Sequence, residues 1–356
     1  MAIILVSGGA GFIGSHVTDA LIYKGHTVVV LDDLSGGSID NVHPEAKIIQ
    51  GNITDHQLVE RLFDAYQFDY VFHLAAYAAE GLSHFIKRFN YINNVIGSVN
   101  LINESVKHRV KRFIFTSSIA VYGTNQLPMH EDLVPHPEDP YGIAKFAVEQ
   151  ELAATYKMFG LKYTIFRPHN VYGERQNTGD RYRNVIGIFM NQVLRGEPLT
   201  IFGDGSQRRA FSYIHDVAPI IASSIDIDAS VNEKFNIGAD KAYSINDLVV
   251  VIQRAFGATV NIRHLPSRHE VTDAWSDHSR LRRIFGNYNE TSLEKGVQHM
   301  AEWIRQNGPR KTQPFAAIEV EQGLPSHWRD ECKADDKPIS RLTLRPDFHL
   351  RRMHKV

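Results

Sequence analysis

The stretch Ile3-Ile4-Leu5-Val6-Ser7-Gly8-Gly9-Ala10-Gly11-Phe12-Ile13-Gly14-Ser15-His16-Val17 opens the chain, and its order of residue types decides the fold. Four consecutive apolar side chains read as a strand buried on both faces, the glycines as a tight turn, and Ser15 to Leu21 as the first turns of a helix. The spacing Gly8-x-x-Gly11-x-x-Gly14 lets backbone approach a pyrophosphate closely, and the first N–H groups of the helix attract the anion. A second apolar run, Thr27 to Leu31, closes on Asp32-Asp33. A carboxylate there suits the two hydroxyls of an adenosine ribose and repels a ribose phosphate, which favours NAD over NADP.

Working outward, Lys47–Gln50, Tyr70–Leu74, Phe113–Thr116 and Tyr163–Arg167 read as further strands. Gln57–Ala65, Tyr91–His108 and Ala144–Phe159 carry helical spacing. Strands alternating with helices predict an α/β fold: a doubly wound parallel sheet of Rossmann type with a smaller α/β substrate-binding lobe. Residues 1–168 are expected to form the NAD-binding domain, with part of 210–240 returning to it, and residues 169–307 mainly the lobe. Residues 308–356 form a C-terminal extension in which Phe315–Glu321 is a candidate short strand. Wrapping onto the body, packing on a second subunit and a loose tail are all open for it.

Composition narrows the function classes. The chain has 356 residues, 43% hydrophobic and 22% charged, as in ordinary globular proteins. Its 39 basic and 40 acidic side chains leave no footprint for nucleic acid or an anionic membrane. No apolar stretch reaches the roughly 18–20 residues of a membrane span, so a cytoplasmic protein is expected. The single cysteine, Cys332, excludes an intramolecular disulfide and a cysteine-based metal site. The 18 histidines are scattered, with no His-x-x-x-His on an evident helix, and no metal is expected. His16 and His73 read as capping or packing groups, Met300 and Trp303 as core.

Chemistry enters at Ser117-Ser118, Tyr141 and Lys145. Tyr141 and Lys145 share one face of a helix, so the ammonium can sit near the phenol, or bridge to a bound ribose, and favour the phenolate. Ser118 would hydrogen-bond the substrate hydroxyl that loses its proton. Small residues at Gly51-Asn52-Ile53 and His73-Leu74-Ala75-Ala76, both at strand ends, leave room for a flat ring and a phosphate.

Together with Asn93-Asn94-x-x-Gly97 and Arg167-Pro168-His169-Asn170-Val171-Tyr172-Gly173, these motifs resemble the extended short-chain dehydrogenase/reductase family, in its nucleotide-sugar epimerase branch, over about residues 1–305. The resemblance implies NAD held by Gly8, Gly11, Phe12, Ile13, Gly14, Asp32, Asp33, Asn52, Ile53, Leu74, Ala75, Ala76, Asn94 and Ser117, with Tyr141 and Lys145. It implies a nucleotide sugar contacted by Asn170, Asn184, Val185, Leu199, Ile201, Phe202, Arg209, Arg268 and Glu270, and usually a homodimer. Arg208 is the alternative to Arg209.

Departures from the family pattern narrow the reaction. Similar dehydratases carry an Asp-Glu pair, and decarboxylases a Glu, just after the catalytic Ser or Thr. Here Ile119 and Ala120 stand there, and neither exchanges a proton. A site with only Ser118, Tyr141 and Lys145 can oxidise a hydroxyl and reduce the ketone again, so the expected activity is 4-epimerisation of UDP-glucose and UDP-galactose type sugars. Ala274, where a tyrosine is common, leaves room for an N-acetyl group, which keeps UDP-N-acetylglucosamine open. UDP-glucuronate stays open through Arg181 or Arg183, since Asn177 replaces the arginine expected there. Asn52 replaces a common acidic residue, its carbonyl being expected to accept from the adenine amino group. A net nucleotide-sugar oxidoreductase and a non-catalytic NAD-binding scaffold are the remaining alternatives.

Overall fold

The computed structural model describes residues 1–267, 270–288, 290–309 and 315–329. The chain begins β1 (Ile3–Ser7), α1 (Phe12–Tyr23), β2 (Thr27–Asp32), β3 (Lys47–Gln50), α2 (His56–Ala65) and β4 (Tyr70–His73). Two short helices, α3 (Glu80–Ser83) and α4 (Lys87–Tyr91), precede α5 (Gly97–Lys107), β5 (Arg112–Thr116), α6 (Pro140–Phe159) and β6 (Tyr163–Pro168). Next come β7 (Val171–Tyr172), α7 (Val185–Leu194), β8 (Leu199–Phe202), β9 (Arg208–Ala210), β10 (Ser212–Tyr213), α8 (Ile214–Ser223) and β11 (Glu233–Ile237). The remainder is β12 (Ala242–Ser244), α9 (Ile245–Phe256), β13 (Ile262–Leu265), β14 (Asp273–Ala274), α10 (Ser279–Phe285), α11 (Leu293–Asn307) and α12 (Ser326–Arg329).

Seven strands form one parallel sheet in the order β11-β6-β5-β4-β1-β2-β3. The alternation of side chains along each strand supplies two cores. Ile4, Val6, Val28, Val30, Phe72 and Ile114 face one side, where Val17 and Leu21 of α1 and Val217 and Ile221 of α8 cover them. Leu5, Val29, Leu31, Val71, Phe113 and Phe115 face the other, against Val59 and Leu62 of α2, Leu101 of α5 and Val148 of α6. Burial on both faces explains why these strands are apolar runs instead of alternating ones. β1 lies between β4 and β2, the point where the winding reverses, and open α/β sheets bind ligands outside the strand ends at such a point.

Three small sheets, β7 with β10, β8 with β13, and β9 between β12 and β14, belong to the second half of the chain. β11 joins the main sheet beside β6. The helix expected over Tyr91–His108 is divided: α4 ends at Tyr91, a π turn spans Ile92–Ile96, and α5 starts at Gly97. Side-chain periodicity cannot register one extra residue in a turn, and such bulges occur mostly at functional sites. α6 starts at Pro140, earlier than its periodicity indicates, because the Asp139 carboxylate accepts the Gly142 N–H at 2.9 Å and proline suits the first helical position.

No strand forms over Phe315–Glu321. This stretch instead wraps onto the body, where the Glu319 and Val320 N–H groups both donate to the Phe85 carbonyl.

Candidate active site

Above the ends of β1, β2, β4 and β5 lies a cavity of about 470 Å³. Its floor is the glycine turn. A Cβ on Gly14 would stand 2.0 Å from the Gly8 carbonyl oxygen, and one on Gly8 would stand 2.6 Å from the Ala75 nitrogen. Both positions therefore require glycine, and Gly8 also has φ +77°. No side chain caps α1 at Gly11, which leaves the N–H groups of its first turn for an anion.

Asp32 accepts the Leu34 N–H at 2.8 Å and the Ala10 N–H at 3.0 Å, and a carboxylate so placed keeps lone pairs for ribose hydroxyls. Burial raises its pKa, against the pull of these hydrogen bonds. Gly11, Phe12, Ile13, Asp33, Asn52, Ile53, Leu74, Ala75 and Ala76 line the same end. Uncapped N–H groups, a cradle that a Cβ would fill and a carboxylate beyond it fit a dinucleotide with free ribose hydroxyls.

Three expected cofactor contacts differ. Asn94 is buried and does not line the cavity; its amide donates to the Tyr77 carbonyl and to Asn90, and its Oδ1 accepts the Tyr77 N–H at 3.0 Å. It fastens the loop after β4, while neighbouring Asn93 faces the cavity. The Asn52 carbonyl oxygen accepts both donors of Thr54 at 2.8 Å, and its amide donates to Asp33, so that oxygen is not directed to an adenine. Ser117 lines the cavity, yet its hydroxyl donates inward to the buried Glu149 carboxylate at 2.5 Å.

Ser118, Tyr141 and Lys145 come together at the β5 end. Tyr141 sits in the first turn of α6, 6% exposed, and hydrogen-bonds Ser118, whose Oγ also accepts the Ala120 N–H. Lys145, one turn on, donates to the Thr116 carbonyl at 2.8 Å, with its Nζ 4.7 Å from the centre of the Phe115 ring and 5.8 Å from that of Tyr141. Burial drives the Lys145 ammonium down to about 7, against the pull of Glu149. Burial, and next the charge of Glu80, raise the Tyr141 phenol, while Ser118 and Arg183 pull it down. Burial is the largest influence on the phenol, and Lys145 is not among the groups that pull it down.

At the other end, Asn170, Asn184, Val185, Ile201, Phe202, Arg209 and Glu270 line the cavity. Asn184 caps α7, its Oδ1 accepting the Ile186 N–H at 3.0 Å, and Asn170 donates to the Ala210 carbonyl. Arg209 donates to the Thr272 and Val271 carbonyls and lies 3.7 Å from Glu270. Arg208 points away, paired with Asp273 and stacked on Trp275, so the cavity arginine of this pair is Arg209.

Two expectations are corrected. Leu199 is fully buried in the core and Thr200 lines the cavity in its place. Ala274 packs with Ile119, Val121, Tyr122 and Met129 behind the Ser118 turn, because β14 pairs with β9 and turns that side chain inward. It does not line the cavity, so the room expected there for an N-acetyl group is not set by this position. Arg268 lies outside the described residues. Tyr77, Glu80, Phe89, Gln176 and Tyr182, which stand in no motif, also line the cavity, as does Arg183, one of the two arginines expected to leave UDP-glucuronate open. His73 bridges Ser7 and Ser98 at 2.7 Å each and is driven down to about 3 by burial, a neutral packing group.

Residues 4–238 match the NAD dependent epimerase/dehydratase family. The UDP-glucose 4-epimerase of Mycolicibacterium smegmatis is 32% identical over 309 residues, covering 85% of this chain and 98% of the relative. The crystal structure of the UDP-glucose 4-epimerase of Thermotoga maritima with UDP-glucose is 38% identical, with a TM-score of 0.82 over 86% of this chain and 99% of its own. That of the UDP-glucuronic acid 4-epimerase of Bacillus cereus, in complex with UDP-glucuronic acid and NAD, is 29% identical, with a TM-score of 0.79 over 86% and 99%.

Proposed function

Because the chain belongs to the NAD dependent epimerase/dehydratase family and is an NAD-dependent nucleotide-sugar epimerase, we propose that it interconverts UDP-glucose and UDP-galactose at C4. NAD, when bound, supplies the acceptor and then the donor of the C4 hydride. Tyr141 Oη takes the proton of the C4 hydroxyl, and Ser118 Oγ holds that hydroxyl in line. Lys145 stands one turn away as a donor toward the cofactor ribose. The same phenol returns the proton once the keto sugar has presented its other face. Burial of all three groups keeps water from the keto sugar.

The observation that carries this reading is the side-chain set beside Ser118. Ile119 is buried in an apolar cluster and Ala120 has no ionisable group, so the two positions after Ser118 offer no acid for elimination or decarboxylation. Asn170, Asn184, Arg209 and Glu270 are assigned to the nucleotide sugar on the same reading. A homodimer accompanies it: Ile92, Ile96, Ile143, Tyr156, Met158 and Phe159, exposed on the π turn and α6, would lose water in a pair. No described helix is long and apolar enough to cross a membrane, and we assign the enzyme to the cytoplasm.

Purified protein mixed separately with UDP-glucose, UDP-galactose and UDP-glucuronate, with no NAD added, tests the substrate by NMR of the sugar H4 and anomeric signals. Interconversion of the first two is expected. Turnover of UDP-glucuronate alone would replace the substrate, and turnover of none would overturn the proposal.

A further inference from the structure

Arg183 leaves the loop before α7 and crosses the cavity. A Cβ on Gly36, in the loop after β2, would stand 3.3 Å from its Nη2, and its Cζ lies 4.6 Å from the centre of the Tyr77 ring, in the loop after β4. In the sheet, β1 lies between β2 and β4. A side chain that spans from one loop to the other therefore passes over the end of β1, above the glycine turn and the uncapped start of α1. That is where a dinucleotide pyrophosphate is held. A guanidinium fork there presents donors to the phosphate oxygens from the side opposite the backbone N–H groups. Asp180, 2.8 Å from Arg183 Nε, is its charge partner.

Tyr77, under the guanidinium, and Tyr182, next to Arg183 in the chain, are both contacted by the C-terminal segment. Phe315 packs between Tyr77 and Phe89, with ring centres 5.2 and 5.0 Å away, and its N–H donates to the Tyr182 hydroxyl at 3.2 Å. Trp328 meets Tyr182 edge-on at 5.1 Å. The Glu319 carboxylate accepts the N–H groups of Arg88 and Phe89 at 2.7 and 2.8 Å, which anchors the segment to α4. Tyr77 and Tyr182 flank Arg183, one under its guanidinium and one beside it in the chain, so segment 315–329 fixes where that guanidinium lies.

We propose that Arg183 is a latch over the pyrophosphate of bound NAD, and that the C-terminal segment, through Phe315, positions it and so retains the cofactor between turnovers. The inference rests on the cofactor placement above and not on the choice of sugar.

The test is the rate at which protein-bound NAD is lost to an excess of an NAD-hydrolysing enzyme, measured on the full chain without any sugar. Arg183→Ala and Phe315→Ala are expected to release NAD about tenfold faster than the unaltered protein or more, the size of one lost charge-assisted contact. Arg183→Lys should fall between, having charge without the fork. Phe315→Leu keeps apolar volume and should restore most of the retention, including where Phe315→Ala purifies poorly. The thermal midpoint of the NAD-saturated Arg183→Ala protein should stay within a few degrees of the unaltered one. Release from Arg183→Ala within twofold of the unaltered protein, or an unaltered protein that purifies without NAD, would overturn the latch. Release from both Phe315 variants within twofold would overturn the positioning role. Failure to epimerise any UDP-sugar would sink the functional proposal while leaving these release rates interpretable.

Discussion

Replacing Tyr141 with phenylalanine is expected to lower kcat for 4-epimerisation by about 10³-fold, with bound NAD retained. The substitution keeps the buried ring and removes only the hydroxyl oxygen to which the proton exchange with the sugar is assigned in the proposed reaction. Tyr141 is 6% exposed and hydrogen-bonded to Ser118, so no other hydroxyl takes its place. The raised pKa of the phenol sharpens the expectation. Burial and then the Glu80 charge raise the phenol's pKa, while Ser118 and Arg183 lower it. Steady-state rates with NAD content measured on the same samples decide it. A Tyr141→Phe protein within tenfold of full activity would remove the residue from its role.

The second large effect concerns stability. Arg167, fully buried on β6, donates through Nε to Glu149 at 2.9 Å and through a second nitrogen to its other oxygen, and through Nη1 to the Tyr122 hydroxyl at 2.7 Å. Tyr122 in turn donates to Asn236 at 2.8 Å on β11, and Ser117 donates to Glu149. This network lies beside Ser118 and ties β5, α6, β6 and β11 together. Burial alone would lower the Arg167 pKa; the Glu149 carboxylate more than reverses that and holds the cation. Glu149→Gln leaves the guanidinium buried without a counter-charge, and a loss of about 3–5 kcal/mol is expected. That corresponds to a drop in Tm on the order of 10 °C. The double variant Arg167→Met with Glu149→Leu should regain much of the loss, because a well-packed apolar pair avoids the desolvation cost. Thermal melts of the unaltered protein, Glu149→Gln and the double variant measure it, and a loss below about 1 kcal/mol in Glu149→Gln would show that the pair does not stabilise the fold.

What the sequence discloses follows from how local each signal is. The strands of the main sheet are short apolar runs because each is covered on both faces, and the glycine turn is dictated by contacts of 2.0–2.6 Å that admit no Cβ, so both can be read directly. Ser118, Tyr141 and Lys145 are close in sequence and lie on one strand end and one helix turn, so their meeting is also legible. Side chains whose direction depends on distant partners are not. Ala274 turns inward because β14 pairs with β9, Asn94 turns to the Tyr77 backbone because a π turn rotates it, and Asn52 is taken up by Thr54. The Glu149–Arg167–Tyr122 network and the Arg183–Tyr77–Phe315 chain each join segments far apart in sequence, and although Arg167 opens a family motif, nothing in it marks the partners. Neither periodicity nor spacing carries that information.

In the proposed reaction the hydride removed from C4 returns to the same sugar while the cofactor stays in place. UDP-glucose deuterated at C4, incubated with the enzyme in the presence of an excess of unlabelled NAD, tests this most directly by NMR. UDP-galactose that keeps its deuterium at C4 and a free NAD pool without label are expected. Product carrying ordinary hydrogen at C4, or deuterium appearing in free reduced cofactor, would contradict it.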